Sequence, residues 1–216
     1  MKSYNRIAWL YDTLARWVFL GNILKSQAHF LPLIKANDRI LIIGGGSGLI
    51  LKAMAQLEIP IAIDFIEPSS RMIEKAKKHA LKAINLKVRF HQIGFESFKS
   101  KENFNTICCF FFLDLFKEQS LKSHLNHINN LMNEKSYLLV SDFQNIRGKW
   151  WQIELAKLMH VFFKLTTGLE SNNLKDINNA IEKSGFMNIS QADFFSKFIF
   201  SAVYQKEVSK METILK

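Results

Sequence analysis

Apolar residues recur along this chain in two alternating periods. Ile7, Leu10, Tyr11, Leu14, Trp17 and Val18 fall at three- and four-residue spacing, which predicts helix within residues 1–36. Pro32 and the turn at residues 36–38 end that region. Residues 40–43 (Ile-Leu-Ile-Ile) then form an all-apolar run, the pattern of a strand buried on both faces. Five residues follow, Gly44-Gly-Gly-Ser-Gly48, and lead into a helix-like stretch over 49–57. Pro60 closes that connection, and residues 61–66 read as a second strand.

The alternation repeats. The spacing predicts a charged amphipathic helix over 69–83, strands over 86–93 and 105–112, a helix over 119–132 and a strand over 136–141. An aromatic-rich helical pattern over 150–167 interrupts the rhythm. A last helix over 174–184 is stopped by Gly185, in the position of a C-cap. Strands over 189–194 and 198–205 close the chain, joined only by Phe195-Ser-Lys197. That connection is too short for a parallel crossover, so the two form a hairpin. Strands alternating with helices imply parallel βαβ units, an α/β fold with one antiparallel strand. With no repeat and no linker, the chain reads as one domain.

The glycine turn is the first candidate for chemistry. Gly44, Gly46 and Gly48 stand between a strand and its helix, where a ligand approaching the backbone leaves no room for a Cβ. A dinucleotide site would use G-x-G-x-x-G, but Leu49 occupies the place of its third glycine, which argues against a nicotinamide oxidoreductase. Glu67, at the end of the second strand, lies at about the offset from which an acid reaches ribose hydroxyls.

In these segments the chain resembles the class I S-adenosylmethionine-dependent methyltransferases, most nearly the group around quinone-biosynthesis enzymes. The matching stretches are residues 40–48, 63–72, 88–94 and 131–142. The resemblance implies a Rossmann-like, doubly wound, seven-stranded, mostly parallel sheet with an antiparallel last strand, and S-adenosyl-L-methionine as cofactor. It divides the chain into an N-terminal helical lid (1–36), a cofactor-binding core (37–142), a helical lid insertion (143–172) and the last helix with its hairpin (173–206). Carried over by motif, Gly44, Gly45, Gly46 and Gly48 would line the methionine part. Glu67 would bind the ribose, with Pro68 and Met72 beside it. Phe95 and Glu96 would meet the adenine, Phe110 and Phe111 would lie beside the transferred methyl, and Tyr11 would cover the cofactor. Three positions depart from the family pattern, which often has acids where this chain has Ile42, Phe95 and Asn105.

Methyl transfer from a sulfonium is mainly alignment, and a base is needed only for acceptors that lose a proton. Asp114, Asp142 and His160 are the candidates for that role, the two aspartates serving equally well as helix caps. Trp9, Trp17, Trp150, Trp151, Phe162 and Phe163 lie in the two lid regions and suit a small aromatic or lipid-like acceptor. An RNA methyltransferase and a non-catalytic, methyltransferase-like binding protein remain as alternatives.

Charge and composition narrow the partners. Lys+Arg number 29 against 19 Asp+Glu, a formal charge of +10, while 48% hydrophobic content argues against disorder. The lysines (Lys75, Lys77, Lys78, Lys82, Lys87) are scattered through helix-like stretches and read as a solvated surface that admits transient contact with an anionic membrane. With no base-flipping segment after the fourth strand and no RNA-binding module, nucleic acid is disfavoured. His124 and His127 are one helical turn apart with no carboxylate or third ligand accompanying them, so no metal is expected. Cys108 and Cys109 are adjacent in a strand and point to opposite faces, so they are expected as free buried thiols. Charges interrupt every apolar run before spanning length, and Asp12 and Arg16 break any signal-like start; a cytoplasmic location is expected.

Overall fold

The computed structural model describes residues 21–144 and 176–206. Residues 21–28 are helical (α1), and a single 3-10 turn at Leu31–Leu33 carries Pro32 at its start. The core then alternates β1 (Arg39–Ile43), α2 (Ile50–Ala55), β2 (Ile61–Ile66), α3 (Ser70–Ala80), β3 (Leu86–His91), β4 (Phe104–Phe110), α4 (Glu118–Asn130) and β5 (Met132–Phe143). It closes with α5 (Ile177–Glu182), β6 (Phe186–Phe194) and β7 (Ile199–Lys206). These form one seven-stranded sheet in the order β3-β2-β1-β4-β5-β7-β6. β1 to β5 pair in parallel, and β7 runs antiparallel to both β5 and β6.

Alternation along the strands builds two cores. Ile40, Ile42, Ile63, Phe65, Cys108, Leu139 and Val203 face one way, against Leu51 and Met54 of α2 and Ile73 and Ala76 of α3. Leu41, Ile43, Ile107, Cys109, Leu138, Val140 and Tyr204 face the other way, against Leu121, Leu125 and Ile128 of α4 and Ile181 of α5. The unbroken apolar run in β1 follows, because neither face meets water. Each fully buried aliphatic contributes about 1.5–3 kcal/mol relative to exposure. Cys108 and Cys109 fall into different cores, unbridged, and burial pushes both thiols up.

Local chemistry sets the element ends. Ser69, extended at φ −80° and ψ 114°, caps α3 by accepting from the Met72 N–H. Asp176 caps α5 by accepting from the Asn179 N–H at 3.0 Å, and Gly185 ends the connection at φ +83°. β4 ends two residues short of the expected 112 because Phe111 turns to φ +53°, its N–H donating to the Ser141 carbonyl at 2.7 Å. β5 begins at Met132, earlier than the alternation indicated. A register shift between Phe104 and Thr106 takes up the extra residues, and the Ser136 hydroxyl donates to the Phe104 carbonyl at 2.6 Å.

The chain order reverses between β1 and β4. β2 and β3 build outward on one side and β4 and β5 on the other, which leaves a crevice past the carboxyl ends of β1 and β4. The glycine turn, Glu67 and the phenylalanines after β4 all lie at that edge. No described helix is long and apolar enough to cross a membrane.

Candidate functional site

The turn after β1 is tied to β2 on two levels. The Gly45 N–H donates to the Ile66 carbonyl at 3.0 Å, and the Gly46 N–H donates to Glu67 Oε2 at 2.9 Å. Glu67 Oε1 accepts from the Ser69 N–H, also at 2.9 Å, at the mouth of α3. The carboxylate is 9% exposed and bridges the glycine loop to the next helix. Each of its oxygens takes one N–H, so each keeps a lone-pair site for a further donor such as a diol.

The four glycines are not equivalent. A Cβ on Gly44 would come within 2.7 Å of the Phe112 ring, and one on Gly45 within 2.2 Å of the Phe65 ring. At Gly48 it would sit 2.6 Å from the Ala76 Cβ and 2.8 Å from its Cα, on α3. These three glycines make room for the protein's own packing. Gly46, at φ +56°, has nothing within 4 Å of the Cβ position, so the loop opens to a ligand there.

Past β4, an aromatic wall closes the crevice. The Phe112 ring covers Gly44 and meets Phe116 edge-on at 4.8 Å and Phe95 at 6.2 Å. Phe116 stacks on His124 at 3.9 Å, and Phe95 stacks on His127 at 4.5 Å. His124 Nδ1 lies 2.6 Å from the Ser120 carbonyl oxygen and its Nε2 2.9 Å from Glu96 Oε1. Burial opposes ionisation of Glu96, but its own backbone N–H, His124 and His127 together hold the carboxyl below its ordinary value. Burial, reinforced by His124, lowers His127. The fold thus corrects the reading of the histidine pair, because a carboxylate from the β3–β4 connection does reach His124. No group of three metal-ligating side chains is found among the described residues.

Of the other residues singled out by sequence, Phe95 is 2% exposed and belongs to the core beneath this wall. Phe110 is buried as the last residue of β4, and the positive φ of Phe111 turns its ring to Phe143, at 4.6 Å. Pro68 is exposed and Met72 half-buried in the first turn of α3. Tyr11, His160 and the two aromatic lid regions lie outside the described residues, except for 21–36, 143–144. Phe112, Phe116 and the Glu96–His124 contact had less weight in the sequence than their placement warrants; the phenylalanines crowded over 110–116 were the available signal.

Asp142 and Asp114 meet behind the wall. Asp142 is fully buried, accepting from the Phe143 N–H at 2.9 Å and from the Asp114 N–H at 3.2 Å. Burial, reinforced by Asp114, raises the Asp142 carboxyl well above the ordinary range. Its geometry is that of a cap reaching across from β5 to fix the single turn at Leu113–Leu115, and with it the segment carrying Phe111 and Phe112.

A cleft of about 280 Å³ lies elsewhere, lined by Arg39, Asp64, Arg89, His91 and residues 98–102. Asp64, 7% exposed in its side chain, is held there by Arg39 at 3.1 Å, His91 at 2.7 Å and Arg89 at 3.7 Å. This cluster includes none of the glycine-turn or aromatic-wall residues.

A family model described as a methyltransferase domain matches residues 15–191. The chain belongs to this methyltransferase-domain family. The matched span includes the glycine turn, Glu67 and the aromatic wall. Among solved structures, the domain is similar to an S-adenosylmethionine-dependent methyltransferase from Clostridium acetobutylicum ATCC 824, with TM-score 0.61 and 12% identity over 95% of this chain and 100% of that one. It is also similar to the CcbJ methyltransferase from Streptomyces caelestis (0.62, 11%, covering 86% and 95%). A third likeness is to the N-methyltransferase NodS from Bradyrhizobium japonicum WM9 in complex with S-adenosyl-L-homocysteine (0.61, 10%, covering 86% and 84%). At such identities the likeness is one of fold. No curated protein matches the chain by sequence.

Proposed function

We propose that this methyltransferase domain binds S-adenosyl-L-methionine past the carboxyl ends of β1 and β2 and methylates a small aromatic or lipid-like acceptor. The observation that carries the reading is the pairing of Gly46 with Glu67. The loop is open at the one glycine whose N–H a buried carboxylate holds, and that carboxylate keeps acceptor capacity for a ribose diol. The cofactor supplies an already activated methyl group when bound. The protein's task is then to bind, orient and exclude water.

Each part of that task falls to named residues. Glu67 accepts the two ribose hydroxyls while still bracing Gly46 and Ser69. Backbone groups of the glycine turn hold the methionine end, since Ile42 is buried and offers no charge. Phe112, backed by Phe116 and Phe95, forms an apolar wall next to the turn, and Asp142 fixes the segment that presents it. Asp142, buried and accepting the Asp114 and Phe143 N–H groups, serves as a positioning residue in this scheme. An apolar wall favours an apolar acceptor, and the bound complex of NodS supports the choice of cofactor by analogy of fold.

Calorimetric titration with S-adenosylmethionine and S-adenosylhomocysteine tests the reading. Micromolar binding of both, lost in Glu67→Ala, is the expected result. Absence of binding up to millimolar ligand refutes the enzyme reading and leaves a binding protein of the same fold.

A further inference from the structure

The far end of α3 carries a feature that the methyl-transfer site does not use. α3 starts after its cap Ser69, beside the glycine turn, and runs to the opposite edge of the sheet, where residues 81–85 turn into β3. In that turn Leu81 is 83% exposed and Ile84 is 102% exposed. The turn is well held. Leu81 donates to the Lys77 carbonyl at 3.0 Å, Leu86 donates to the Ala83 carbonyl at 3.0 Å, and Ala83 is buried. The Asn85 side chain donates to the carbonyls of Ile59 at 3.0 Å and Ala55 at 3.3 Å. Two branched aliphatic side chains are thus fixed pointing outward, while the core contacts of α3 are made by Ile73 and Ala76.

The surroundings are cationic. Lys75, Lys77, Lys78, Lys82 and Lys87 are all exposed on α3, the turn and the start of β3, and Glu74 is the one acid between residues 70 and 89. Lys52 reaches the same place from α2: burial lowers His79, and the charges of Lys52 and Lys82 lower it further. Lysines in a last helical turn are favoured by the helix dipole, so they alone would need no partner. Nothing in the fold accounts for the aliphatic pair between them.

We propose that the α3–β3 turn is a membrane-surface contact, in which Leu81 and Ile84 enter the acyl boundary of an anionic bilayer while Lys77, Lys78, Lys82 and Lys87 meet its headgroups. The combination of protruding aliphatics and a lysine ring is what a bilayer interface accepts. Two side chains are too little area for a stable protein interface, which buries on the order of 1,000 Å² or more. Branched aliphatics offer a nucleic acid neither stacking nor hydrogen bonds. Contact here places the glycine turn and the aromatic wall at the edge facing away from the lipid, so the protein can be held at a membrane with its site open.

Co-sedimentation with vesicles tests the proposal, comparing phosphatidylcholine alone with phosphatidylcholine–phosphatidylglycerol mixtures at low and physiological salt. Binding is expected only with the anionic lipid, weakening as salt rises. Each lysine reversed among Lys77→Glu, Lys78→Glu and Lys82→Glu should weaken it roughly fivefold or more. The double variant Leu81→Ser/Ile84→Ser should weaken it about tenfold or more, two apolar side chains being withdrawn from the interface. As a second measurement, a polarity-sensitive fluorophore on Ile84→Cys should shift to the blue with anionic vesicles. Cys108 and Cys109 are fully buried, so that label is selective. No preference for anionic lipid, full binding by the serine variant, or an unshifted label overturns the proposal. Salt-sensitive retention on RNA without vesicle binding overturns it in favour of a nucleic-acid surface.

Discussion

Gly46 and Gly48 look alike in the sequence, and both have positive φ, yet alanine should damage them in different ways. At Gly46, with φ +56°, a Cβ meets nothing within 4 Å, so the cost to folding is the left-handed backbone alone. That is about 1–2 kcal/mol. For a chain of this size it lowers Tm by about 2–8 °C. The added methyl, however, stands in the space assigned to the cofactor, and affinity for S-adenosylhomocysteine should fall at least about tenfold, one methyl's worth of steric conflict at a close backbone approach. At Gly48, with φ +72°, the same backbone term applies, and the Cβ also lies 2.8 Å from the Ala76 Cα, which cannot rotate away. Overpacking adds about 1–3 kcal/mol. The sum, about 2–5 kcal/mol, lowers Tm by about 4–20 °C. The folded fraction of Gly48→Ala should still bind ligand within a few-fold of wild type. Differential scanning calorimetry and ligand titration on both variants read the two effects separately. If Gly48→Ala loses affinity while keeping its Tm, or Gly46→Ala loses Tm while keeping its affinity, the division between packing and ligand glycines is wrong.

Further expectations follow from the buried charges. The folded state holds the Asp142 proton more tightly than the unfolded chain does, since burial and Asp114 raise that carboxyl. Its contribution to stability therefore declines as pH rises from the ordinary carboxylate range toward the raised value. The Tm of Asp142→Asn minus that of wild type should accordingly rise as pH increases, and a value that falls with pH would refute the assignment. Arg39→Ala removes the 3.1 and 3.3 Å bonds to Asp64 and the guanidinium 4.6 Å from the Phe104 ring. The loss should be about 1.5–3 kcal/mol, with Arg89 and His91 still on the carboxylate, and thermal unfolding reads it as a drop of several degrees. An unchanged Tm would mean that Arg89 and His91 suffice.

What could be read before folding, and what could not, divides by the range of the interaction. The run of apolar residues over 40–43 revealed β1 because a strand covered on both faces has no polar register to hide. The glycine turn and Glu67 were legible because motif and strand end are close in sequence. The reversed strand β7 was legible from the three-residue connection alone. By contrast, the different duties of Gly44, Gly45 and Gly48 depend on Phe112, Phe65 and Ala76, which arrive from the segment after β4, from β2 and from α3. The early start of β5 depends on a bulge opposite Phe104 that no periodicity announces. Glu96 and His124 are 28 positions apart, so their contact exists only once β4 is in place. The two aspartates read from sequence as bases or as caps of the helix that follows each. In the structure the Asp142 carboxylate accepts instead from the Phe143 and Asp114 N–H groups, contacts that depend on β4 and β5 lying side by side, and α4 begins after Lys117 without a side-chain cap.

The position of β7 has a consequence for how this protein is made. The strand is the last described element, yet it lies between β5 and β6, and it brings Phe200, Ala202 and Tyr204 to one core and Val203 to the other. During synthesis, β1 to β5 can pair in the order in which they emerge. Until residues 199–206 leave the ribosome, the whole edge of β5 from Leu138 to Phe143 shows unsatisfied N–H and C=O groups. That edge is a long, apolar template for any other extended chain. The nascent chain is thus most exposed to misassembly in the interval before residues 199–206 emerge, and a slow codon or a truncation upstream of residue 199 should send it to chaperones or aggregates even though β1 to β5 are already built.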